Sequence, residues 1–181
     1  MTIVDFRGHA FLLEAIEQFH ANGELPKSTH LQKAMFLLRA IDVPQVPFSF
    51  ILYKHGPFSL EVESELGEMK SYCAIGSDLR PGFSQVLQPG TNAPGLKQKL
   101  QLGGEERAAV AEVCRFLALK PLVEIELLAT AAWIKANEQL NSLDEIANRL
   151  QVLKPYVSRP EAIQRVGEIE HIISQRRHVP A

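Results

Sequence analysis

Residues 53–59, Tyr-Lys-His-Gly-Pro-Phe-Ser, constrain the fold of this chain more than any other stretch. An apolar run at 47–53 leads into them, and helical periodicity begins at Leu60. Gly56 opens backbone angles that other residues avoid, while Pro57 fixes its own φ and keeps its neighbour out of the helical region. Ser59 stands where a side-chain oxygen caps the free N–H groups of the next helix. A buried strand turned sharply into a helix is therefore expected, with Tyr53, His55 and Phe58 around the corner. The corner reads either as a structural bend or as a binding site.

Upstream, Phe11, Leu12, Ala15, Ile16 and Phe19 recur at helical spacing over residues 8–21. A second helix is expected from Thr29, capped by the Thr29/Gln32 pair, with Leu31, Met35, Leu38 and Ile41 inside and Lys33 and Arg39 pointing elsewhere. The helix after the corner, residues 60–72, buries Val62, Leu66 and Met69 and carries Glu61, Glu63, Glu65 and Glu68 against Lys70. Turn-forming pairs at 81–95 suggest a two-stranded flap, one strand holding Phe83, Val86 and Leu87 and the other spanning 96–102. From Gly104 onward the pattern is helical: Val110, Val113, Cys114 and Leu117 mark one helix, and Pro121 opens another. Ser142 and Glu145 form a capping box for the next, and Ser158 caps the last. The fold expected is mainly α, of the α+β kind. A winged-helix-like part (residues 8–102) with its flap packs against a helical bundle (104–175), within one domain spanning 1–181.

Few chemistries survive inspection. The six histidines share no metal-binding spacing, and no G-x-S-x-G elbow, P-loop or GxGxxG is present, so neither catalytic residues, a cofactor nor a metal is expected. Cys73 and Cys114 lie too far apart for a zinc knuckle and are expected as small buried hydrophobes in a reducing cytoplasm. The most apolar window, 122–134, contains Glu124 and Glu126 and is too short to span a bilayer, so no membrane partner is expected.

A net charge of −2 gives no global attraction for nucleic acid. Locally, the helix after the corner is acidic and would be repelled by DNA phosphates. A basic flank formed by Lys33, Arg39, Lys97 and Lys99 is the alternative, each a phosphate contact rather than a base reader.

Leu31-Gln32-Lys33 on a helix, the Y-K-x-G-P-x-S corner and then Leu66 resemble the bacterial YwgA-like proteins and, more distantly, the Panacea domain of SocA-like antitoxins. Ala129-Thr130-Ala131-Ala132-Trp133 and Leu153-Lys154-Pro155 look like later landmarks of the YwgA-like group. His55 stands where that group commonly has an aromatic, and Trp133 where a histidine–tyrosine pair is usual. The resemblance implies a role in regulation or toxin neutralisation and brings no catalytic residues. Joined to the acidic helix, it leads to the expectation of a non-enzymatic interaction module. Such a module would bind a protein partner through Tyr53, His55, Phe58, Glu61, Glu65 and Glu68. A DNA-binding regulator using the basic flank is the second expectation, and an enzyme of unknown type the third.

Overall fold

The computed structural model describes residues 6–78 and 85–177. Two helices come first, α1 (Arg7–Ala21) and α2 (Ser28–Ala40). A hairpin follows, β1 (Ile51–Tyr53) paired antiparallel with β2 (Gly56–Phe58), and then α3 (Leu60–Ser71). A second hairpin joins β3 (Ile75–Asp78) to β4 (Val86–Pro89). The remainder is helical: α4 (Ala93–Lys99), α5 (Gly104–Leu117), α6 (Leu122–Asn137), α7 (Leu143–Leu153) and α8 (Arg159–Arg177). The molecule is thus mainly helical with two small antiparallel sheets, and none of its described helices is long and apolar enough to cross a membrane.

One apolar core joins the two halves. Phe11, Leu12, Ile16 and Phe19 of α1 are fully buried where α1 meets α5, and Leu31, Met35 and Leu38 of α2 are buried where α2 meets α5 and α6. Val110, Val113, Cys114 and Leu117 form the inner stripe of α5, at the spacing that puts them on one face. The centre of α6 is buried on nearly every side, from Ile125 to Ala132, since α2 covers one flank while α7 and α8 cover the other. The Ser142 capping box forms as expected: Ser142 Oγ accepts from Glu145 N at 3.1 Å, and the Glu145 carboxylate takes Ser142 N at 3.2 Å.

Four local expectations are corrected. The chain between α2 and α3 is not one buried strand over 47–53. Phe48 is buried, but only residues 51–53 pair as a strand, with Ile51 and Tyr53 exposed, and Asp42 and Gln45 just upstream take positive φ. Residues 56–58 then fold back upon them, so the corner is first a strand–strand turn and only then a strand–helix turn. Helix α2 begins at Ser28, with His30 Nδ1 accepting from Lys27 N at 3.0 Å, which leaves Gln32 beyond reach of the helix start. In the flap, the partner of β4 is residues 75–78, whereas most of 96–102 is α4, opened by Pro94 at its first turn. Proline suits that place because the first helical N–H groups have no intrahelical acceptor. Phe83 lies outside the described residues. Cys114 is buried, but Cys73 is exposed, at the positive-φ residue that follows α3.

Candidate binding pocket at the first hairpin

Gly56 sits at φ +90°, and a Cβ there would stand 2.8 Å from Thr130 Oγ1 and 3.4 Å from the Glu126 carbonyl. Glycine is therefore required twice over, by the backbone angle and by the close approach of α6. Pro57 has no N–H to give to a ladder, and its carbonyl leaves the hairpin to accept from Lys33 Nζ at 2.9 Å. A second lysine does the same one step along, Lys154 Nζ donating to the Lys54 carbonyl at 2.8 Å. Both are buried, Lys33 to 2% and Lys154 to 6% relative exposure. The hairpin is thus held from beneath by its backbone.

The turn into α3 is fixed in the same manner. Gln32 pairs with Ser59 as a second strand would, accepting from its N–H at 2.8 Å and donating to its carbonyl at 2.9 Å. Ser59 Oγ then accepts from Val62 N at 3.3 Å, the cap expected from sequence. The same hydroxyl donates to Glu61 at 2.8 Å and so holds that carboxyl below the usual range, ionised at neutral pH.

Above this base lies a pocket of about 320 Å³. Helix α2 supplies Ser28, Thr29, Gln32 and Lys33, the hairpin supplies Tyr53, His55, Gly56 and Phe58, and Glu63 and Glu126 close it from α3 and α6. Tyr53 is 66% exposed, with its ring centroid 6.0 Å from that of Phe58. His55 Nδ1 lies 3.1 Å from Glu126 Oε2. Glu63 Oε1 accepts from Gln32 Nε2 at 3.0 Å and from the Ser28 hydroxyl. The lining carries both signs at different depths: Lys33 is 2% exposed, the Glu126 side chain 16%, and Glu63 lies in the open. Burial pushes the Lys33 ammonium down to about 8, with Glu126 resisting the shift and Lys154 adding to it.

Of the residues expected at a partner surface, Tyr53, His55 and Phe58 come together at this pocket. The acidic helix divides. Glu61 stays at the turn, but Glu65 and Glu68 face α1, where their carboxylates lie 3.2 Å and 3.8 Å from the two ring nitrogens of buried His9. Glu63 and Glu126, absent from that expected set, form the acidic rim instead. A glutamate inside the most apolar window of the sequence was the available signal for Glu126, because buried carboxylates require a partner.

The expected basic flank is dispersed. Lys33 does not point away from the core; its stem runs under Gly56 and its ammonium is engaged by Pro57. Arg39 donates to the Phe48 carbonyl at 2.5 Å beside a separate pocket walled by Phe36, Phe50 and Trp133. Lys97 pairs with Glu17 at 2.5 Å, and Lys99 is exposed on the short helix α4. Against known proteins, the chain matches neither a family model nor a curated sequence.

Proposed function

We propose that this protein is a non-enzymatic interaction module that binds a partner protein on the outer face of the β1–β2 hairpin. The observation that carries this reading is that the hairpin is held by its backbone while Ile51 and Tyr53 of β1, with Leu60 at the start of α3, face solvent. Ile51 is 57%, Tyr53 66% and Leu60 72% exposed, on a segment secured by Lys33, Lys154 and Gln32. Preorganised aromatic and aliphatic groups beside polar ones are the usual anchors of protein recognition, since little ordering remains to be done on binding. The resemblance to YwgA-like and Panacea proteins points the same way, towards regulation through a bound partner. The DNA-binding alternative draws less support, because Lys33 and Lys97 are already engaged within the protein.

The test is co-purification from the native host with three proteins: wild type, Tyr53→Ala/Leu60→Ser, and Leu119→Ser. Leu119 is 73% exposed on the α5–α6 connection and controls for loss of any surface hydrophobe. A stoichiometric partner lost only from the hairpin variant is the expected result. A partner retained by the hairpin variant would remove the reading.

A further inference from the structure

The pocket's chemistry names the kind of group it accepts, a deepening that rests on the interaction-module reading above. Its volume of about 320 Å³ matches roughly ten waters' share of liquid, room for a long side chain and the backbone that carries it. Tyr53 and Phe58 line the pocket together with two carboxylates, Glu63, which is exposed, and Glu126, whose side chain is 16% exposed. His55 meets one oxygen of Glu126, and Gln32 and Ser28 both meet Oε1 of Glu63; among the described residues the second oxygen of each carboxylate has no hydrogen-bond partner. At the base, the Lys33 ammonium has three N–H donors, and among the described residues Pro57 alone gives it a hydrogen-bond acceptor.

An occupant entering from solvent meets negative charge and π-faces first and N–H donors last. That order suits a cation with a carbonyl oxygen behind it. It does not suit an anion such as a phosphate, which would pass two carboxylates before reaching Lys33. Between the two basic side chains, arginine fits better than lysine. Its planar fork spreads N–H donors towards one oxygen on each of the two carboxylates while its face stacks on an aromatic ring, whereas a compact ammonium cannot stack.

We propose that the pocket takes an arginine side chain from an extended segment of the partner protein. The guanidinium lies between Glu63 and Glu126 against Tyr53 and Phe58, and a carbonyl of the same segment accepts from Lys33. Specificity then comes from a charge that the pocket neutralises and a plane that its rings cover.

The proposal is tested by titrating isotopically labelled protein with N-acetyl-arginine methylamide and following the backbone amide resonances. Saturable shifts at Lys33, Tyr53, Gly56, Glu63 and Glu126 are expected. Binding should fall about tenfold with the neutral isostere N-acetyl-citrulline methylamide, the size of one charge-assisted hydrogen-bonded pair. Glu63→Gln should weaken the arginine probe by a similar factor, and Tyr53→Ala, at a site that is 66% exposed, should weaken it too. Equal affinity for arginine and citrulline probes, or shifts clustered elsewhere, would overturn the proposal. So would tighter binding of free arginine than of the capped form, which would make this a small-molecule site. If the hairpin variant loses its partner while the capped arginine fails to bind, only this inference falls. If the probe binds as expected but the partner ignores Tyr53 and Leu60, the interaction-module reading falls, and the assignment to a partner's arginine falls with it.

Discussion

The two hairpins share a plan, two short antiparallel strands flanking α3, yet they are attached to the protein in opposite ways. In β3–β4 the side chains do the holding. Ile75, Val86 and Leu87 are buried, and the backbone of Leu87 adds hydrogen bonds to the Pro26 carbonyl at 2.7 Å and to His20 Nε2 at 2.9 Å. In β1–β2 the backbone does the holding, through two lysines that reach carbonyls at the turn and on β2, while Ile51 and Tyr53 stay outside. A hairpin secured by its side chains has used them; one secured by its main chain keeps them for something else. That difference, more than any single residue, is why the functional proposal falls on the first hairpin.

Breaking the two attachments should give unequal results. Leu87→Ala removes a side chain that is 1% exposed and should cost about 2–5 kcal/mol, the range for large-to-small changes in a core. Urea denaturation measures it, and a loss near zero would show that the second hairpin is not held as described. Gly56→Val meets both a positive φ and the α6 surface, and a loss of about 1–3 kcal/mol is expected in the same assay. An unchanged midpoint would contradict the close approach of Thr130.

The lysine beneath the first hairpin gives a pH signature. Burial lowers Lys33 from 10.5 to about 8, so the folded protein sheds this proton before the unfolded chain does. Below about pH 8 both states are protonated and the penalty of burying the charge is fully present. As pH rises from there towards 10.5 the unfolded state holds more protons, and this group's contribution to stability increases. Thermal melts of wild type and Lys33→Met across that interval should show the wild type gaining relative to the variant; parallel curves would mean that Lys33 titrates normally. The smallest structural effect belongs to Tyr53→Ala. At 66% exposure its stability should stay within about 0.5 kcal/mol of wild type, while partner capture drops. A large loss of stability there would sharpen the comparison against us, by making Tyr53 a structural residue after all.

Much of the architecture was readable in advance because it depends on near neighbours. The stripes of α1 and α5, the Ser59 and Ser142 caps and the positive φ of Gly56 each follow from a few residues within one or two turns. The errors arose where two local rules competed. Residues 96–102 carry strand-like alternation, but Pro94 starts a helix just before them. The run at 47–53 looks like a buried strand, but its partner was the corner itself, which left no element to cover its other face.

The candidate site was half legible. Tyr53, His55 and Phe58 adjoin the turn and were visible from it, whereas Glu63 was indistinguishable from three other glutamates on its helix, and Glu126 lies 71 residues from His55.

By itself, then, the sequence determined the helices, their inner faces and the sharp corner, since backbone preference and apolar periodicity act over short chain distances. Only the tertiary structure decided that Lys33 is buried, that Glu65 and Glu68 turn towards His9, and that the hairpin's aromatic face stays open. The reason is electrostatic: a charged side chain leaves water only where distant parts of the chain supply its partners. Here those partners are the Pro57 carbonyl and the Glu126 carboxylate.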